Sequence, residues 1–143
     1  MTRVEFYVNV PDKLRKVIEL GENIVSRGRR LMVYVPDTES ASRLEGLVWT
    51  HPPTGFLPHC RADNALAAVT PVIIDWRSEQ LAHDDVLINL RAEYPTFFSR
   101  FRRLIEIVGA DEADKVEARN RYRFYRDRGY EIKSFDMLEA EQP

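Results

Sequence analysis

The chain is predicted to be an α/β protein: single-domain and Rossmann-like, with a mostly parallel sheet of about seven strands flanked by helices. Two observations predict this. Short runs such as RLMVYVP (30–36) and PVIID (71–75) are almost continuously apolar, as strands buried on both faces of a parallel sheet are. Between the first strand-like runs lie stretches whose apolar residues repeat at helical spacing, so the chain opens as β-α-β-α, the order of layered α/β folds with right-handed crossovers.

The elements follow in order. RVEFYVNV (3–10) alternates and favours a strand. Pro11-Asp12 opens a helix of about 16 residues with Leu14, Val17, Ile18, Ile24 and Val25 in its stripe, and Gly28 closes it. After the strand at 30–36, Asp37 or Thr38 can cap a second helix with Ala41, Leu44, Leu47 and Val48 on its inner face. HPPTGFLPHC (51–60) holds three prolines and a glycine and is expected to be loop, with a short strand at Gly55–Leu57. PVIID and DVLINL (85–90) are strands, and the gap between them is too short for a helical crossover. TFFSRF makes one or two helical turns, RLIEIV (103–108) a strand, residues 111–128 the last helix ended by Gly129, and YEIKSFDM (130–137) a final strand. Residues 1–138 are expected to form the domain and 139–143 a frayed tail.

Composition excludes several classes. At 143 residues one domain is expected. No apolar run approaches membrane-spanning length, and the N-terminus reads as a strand rather than a signal peptide. Cys60 stands alone, which points to a reducing cytoplasm. The six glycines do not fall into a G-x-G-x-x-G or P-loop pattern, so no phosphate cradle is predicted. His51, His59 and His83 have no ligand-like spacing with Cys60, and neither a metal nor a cofactor is expected. A nucleophilic Cys60 would need a base; His51 or His83 could serve, but no local signature supports that.

Charge is uneven. Residues 115–128 carry Lys115, Arg119, Arg121, Arg123, Arg126 and Arg128 against Glu117 and Asp127, in a chain of formal net charge -2. At 100° per residue, Lys115, Arg119, Tyr122, Arg123 and Arg126 share one face about 100° wide. Ala118 and Tyr125 turn toward the core, and Glu117, Asn120, Phe124 and Asp127 lie on the far side. A solvated helix face would explain the arginines in part, since cations favour a helix C-terminus. A stripe with few acidic i,i+4 partners repels itself, however, and invites an acidic ligand. Nucleic-acid phosphate with tyrosine stacking fits. So does an acidic peptide with an apolar anchor, bound at roughly micromolar strength at low salt.

The stretches FYVNV, GFLPHC, DVLINL and, above all, ARNRYRFYRDRGYEI (118–132) give the chain a resemblance, nearly end to end, to the chi-subunit family of bacterial DNA polymerase III holoenzymes. The resemblance implies a non-catalytic accessory protein of the clamp-loader complex, Rossmann-like without a working nucleotide site. It also implies two partners: the psi subunit, and the acidic C-terminal tail of single-stranded DNA-binding protein, which ends in phenylalanine. DNA would then be reached mostly through that second partner. Carried over by residue, the tail site comprises Val108, Lys115, Arg119, Tyr122 and Arg123, with Arg119 the first choice for the terminal carboxylate. Arg126 joins from helix geometry alone. The psi surface would include Trp49, Phe56, Pro58 and His59. The alternative is direct single-strand binding by the same basic helix.

Overall fold

The computed structural model describes residues 1–50 and 57–138. Phe56 and the tail 139–143 lie outside the described residues, and so does most of the strand expected at 55–57. Seven strands are seen: β1 (Arg3–Val10), β2 (Leu31–Tyr34), β3 (His59–Cys60), β4 (Val72–Asp75), β5 (Val86–Asn89), β6 (Arg103–Gly109) and β7 (Ile132–Asp136). They form one sheet in the order β3-β4-β2-β5-β6-β1-β7. Every pairing is parallel, so the expected "mostly parallel" sheet is wholly so. The short third strand is His59–Cys60, and Leu57, the one described residue of the strand expected at 55–57, lies outside any strand. The register of β3 against Val72 and Ile73 sets its position.

Among the described residues three α-helices flank the sheet: α1 (Lys13–Ser26), α2 (Thr38–Thr50) and α3 (Glu112–Asp127). Each start is fixed by an aspartate accepting from a first-turn N–H: Asp12 from Arg15 at 3.2 Å, Asp37 from Ser40 at 2.8 Å and Asp111 from Asp114 at 3.2 Å. Gly28 and Gly129 follow α1 and α3 at φ +75 and +85, the left-handed conformation that suits a residue without Cβ.

Strand order dictates which face each helix covers. The crossovers through α1 and α2 move toward the β3 edge, whereas the one through α3 moves toward β7. Crossovers of a single hand therefore put α1 and α2 on one face and α3 on the other. The core agrees. Val33, Val72, Ile88 and Ile107 pack with Ile18, Ile24 and Leu44, while Phe6, Met32, Leu87 and Leu104 pack with Ala118 and Tyr125. Alternate residues along each strand thus serve opposite layers. Leu47 departs from expectation: it is exposed, and Ala41, Leu44 and Val48 alone make the inner face of α2.

Candidate functional site

α3 crosses from β6 to β7 and so lies over β1. In the sheet Phe6 pairs in register with Glu106 on one side and Ser134 on the other. Ser134 is small, and it leaves the floor open between α3 and β7. The result is a cleft of about 240 Å³ lined by Phe6, Val8, Asn9, Val108, Lys115, Ala118, Arg119, Tyr122 and Ser134. Val108 and Ala118 are buried in its floor, and Tyr122 stands at its side with its ring 5.4 Å from that of Phe6. Lys115 and Arg119 bring the cationic groups.

Of the six residues expected at the tail site, the cleft brings together Val108, Lys115, Arg119 and Tyr122. Arg123 and Arg126 do not line it; both are exposed further along α3. Arg119 meets Glu112 at 3.4 Å and Arg126 meets Asp127 at 3.2 Å, both pairs being exposed and hence weak. No ion pair engages Lys115 or Arg123 among the described residues.

Sequence reasoning missed Asn9. The register of β1 against β6 shifts between Tyr7 and Val10, and Asn9 takes φ 57, a conformation asparagine tolerates better than most residues. This bulge turns its side chain to the rim of the cleft, where Nδ2 donates to Asp136 at 3.0 Å. An asparagine inside an otherwise β-favouring run was the available signal.

Arg121 corrects the charge count of the helix. It is 4% exposed and its Nε donates to the fully buried Glu106 at 3.0 Å. Glu106 also accepts from Tyr125 Oη at 2.6 Å and from Asn89 Nδ2 at 3.1 Å. Burial pushes the Glu106 carboxyl up from its ordinary value, and Arg121 with the Tyr125 and Asn89 hydrogen bonds pulls it back only in part. A second Arg121 nitrogen donates to the Ala92 carbonyl at 2.7 Å. The far side of α3 is covered too: Phe124 stacks on Tyr94 at 3.6 Å, and Arg128 lies over Phe124 at 4.1 Å.

The start of α3 is pinned separately. Asp114 accepts from the Gly109 N–H at 2.6 Å and from Lys13 at 3.1 Å. Burial alone would raise its carboxyl, but the Gly109 N–H and Lys13 outweigh it and hold it below the ordinary range. The cleft therefore sits on a helix tied down at its first turn, its middle and its far flank.

The residues proposed for a second surface lie at the opposite edge of the sheet. Trp49, near the end of α2, is 68% exposed, and its ring sits 6.1 Å from that of His59 in β3. Pro58 adjoins them in sequence, and the His59 ring contacts the Leu57 carbonyl at 2.9 Å. About six inter-strand spacings separate this edge from β7, roughly 30 Å. Among the described residues no cluster of three or more His, Cys, Asp or Glu side chains could hold a metal, and no helix is long and apolar enough to cross a membrane.

Comparison with known proteins gives the fold and cleft a context. A family model described as DNA polymerase III chi subunit, HolC, matches residues 1–133. The DNA polymerase III subunit chi of Pseudomonas aeruginosa is 34% identical over 137 residues, covering 92% of this chain and 94% of that protein. Those of Haemophilus influenzae and Escherichia coli are each 29% identical, covering 90% and 81% of this chain and 92% and 80% of theirs.

Proposed function

Since the chain belongs to the DNA polymerase III chi-subunit family, we propose that it works in DNA replication as a non-catalytic adaptor of the clamp-loader complex with two docking surfaces. The cleft beside α3 takes the acidic, phenylalanine-ended tail of single-stranded DNA-binding protein. The edge around Trp49, Pro58, His59 and, by sequence, Phe56 takes the psi subunit.

One observation carries the tail assignment: the cleft joins an apolar, ring-walled floor to a cationic rim. The terminal phenyl ring enters beside Val108 and Tyr122, while Arg119 and Lys115 receive the terminal carboxylate and neighbouring acids. A guanidinium suits a carboxylate because it donates two parallel hydrogen bonds. Arg123 and Arg126, outside the cleft, meet acidic residues further from the tail's end. Size separates this reading from base binding on the same helix. At about 240 Å³ the cleft is smaller than the roughly 300–1,000 Å³ of small-molecule sites, so it suits one ring rather than a nucleotide.

The roughly 30 Å between the two edges supports simultaneous engagement, which an adaptor requires. Titration of a fluorescent acidic peptide ending in Phe tests the first surface. Saturable binding is expected, weakened at least about tenfold by Arg119→Ala, equivalent to about 1.4 kcal/mol. Equal affinity of the two proteins would remove the site. Trp49→Ala should leave the peptide affinity unchanged and reduce co-purification with psi.

A further inference from the structure

A second concentration of arginine lies away from α3, and helix periodicity plays no part in it. The amino-terminal ends of β2, β5, β6 and β1, which are neighbours in the sheet, border a groove of about 570 Å³. Its eleven lining residues include five arginines and a single acid, Asp85. Two of the arginines are spoken for: Arg103 grips Glu5 through two nitrogens at 2.9 and 2.8 Å, and Arg29 faces Asp85 at 3.8 Å. Asp85 also accepts from the Arg30 N–H at 3.1 Å. Arg3, Arg100 and Arg102 are exposed and have no acidic partner among the described residues.

We infer that this groove is a docking site for the phosphodiester backbone of single-stranded DNA, separate from the α3 cleft. Three features point to that partner. The unpaired guanidiniums are gathered in a concave surface, where a field of one sign is focused rather than dispersed. The backbone that carries them is already fixed: the Arg3 N–H donates to the Arg102 carbonyl at 2.9 Å, the Arg102 N–H to the Asp84 carbonyl at 3.0 Å, and Thr2 Oγ1 to the Phe101 carbonyl at 2.6 Å. Little backbone ordering entropy remains to be lost on binding, so the cost falls on the arginine side chains alone. Finally, the groove holds no exposed aromatic ring: its one ring, Phe101, is 2% exposed, and Met1 is the large apolar side chain it presents. A ligand held mainly by repeated negative charge fits such a surface, and a phosphodiester chain is that ligand. DNA is also the polymer on which the family's polymerase acts.

No residue lines both sites, and along β1 the cleft begins at Phe6, three residues or about 10 Å from Arg3. A bound tail therefore leaves the groove open.

Fluorescence anisotropy with a short labelled oligothymidylate tests the inference, using wild type, the triple variant Arg3→Gln/Arg100→Gln/Arg102→Gln, and Arg119→Ala. Wild type should bind at low salt, and the triple variant at least about tenfold more weakly. Its plot of log affinity against log salt should be flatter by about 2, at roughly 0.7 per lost phosphate contact. Arg119→Ala should bind the oligonucleotide as wild type does. Equal binding by the triple variant, no binding by wild type, or competition by polyglutamate as effective as that by unlabelled oligonucleotide would each overturn the proposal. If the triple variant does not melt as wild type does, Arg100→Gln alone decides. Its exposed side chain has no partner to lose, and it should still weaken binding about twofold or more; an unchanged affinity would overturn the proposal.

Discussion

The two sides of α3 put the same side chain to opposite uses. On the sheet side, Arg121 is buried against Glu106, Tyr125 and the Ala92 carbonyl. On the open side, Arg119, Arg123 and Arg126 are exposed, with two weak ion pairs among them. A buried pair cannot fall back on water, so loss of one member leaves an uncompensated charge in the core. An exposed arginine loses almost nothing when its neighbour goes, and its charge remains available to a ligand. Arginine on this helix therefore means anchorage or recognition according to whether the sheet lies beneath it.

Arg121→Ala breaks the comparison at its strongest point. It should destabilise the protein by about 3–5 kcal/mol, read as a fall in the denaturation midpoint. Peptide binding should weaken only to the extent that α3 loosens. Replacing both partners, Glu106→Leu with Arg121→Met, should recover most of that loss, because an apolar pair of similar volume leaves no orphaned charge. Failure of the double variant to recover would show that the Ala92 and Tyr125 hydrogen bonds, not the ion pair, hold the helix.

The first turn gives a smaller, pH-dependent effect. The Asp114 carboxyl is held below its ordinary value in the native state. Its contribution is therefore complete above the unfolded value of about 4 and disappears as pH falls through the lower native value. Asp114→Asn should cost about 1.5–3 kcal/mol near neutrality, and its denaturation midpoint should converge on that of wild type in acid. A constant gap between the two proteins down to about pH 2 would mean that the charge is not what pins the turn.

The smallest effect belongs to the far end of the stripe. Arg126→Ala, outside the cleft and paired with Asp127, should weaken the peptide by no more than a few-fold, in keeping with roughly 0.2–1 kcal/mol for an exposed pair, and leave the midpoint in place. A loss as large as that from Arg119→Ala would extend the site along the whole helix.

Much of the fold was legible because it depends on local pattern. Alternating and continuous apolar runs located six of the strands, and aspartates and glycines marked the helix ends. The strand His59–Cys60 was not legible because two residues carry no periodicity, and pairing with β4 decides where they lie. In the site, Lys115, Arg119 and Tyr122 fell on one face by helical spacing. Phe6, Val8, Asn9 and Ser134 did not emerge, since they come from strands far away in the chain. Arg121 was counted with the basic patch because composition records its charge but not its partner. A glutamate inside RLIEIV was the sign that some cation had to be buried nearby.

By itself the sequence determined the α/β order, the helix starts and the alignment of cations on α3, because these follow from spacing along one element. Only the tertiary structure decided that a small serine opens a cleft beside that helix and that one arginine is spent inside the core. It also decided that Arg3, Arg100 and Arg102 meet at the amino-terminal ends of neighbouring strands. Each of these is a contact between segments distant in the chain, and strand order, not local periodicity, brings such segments together.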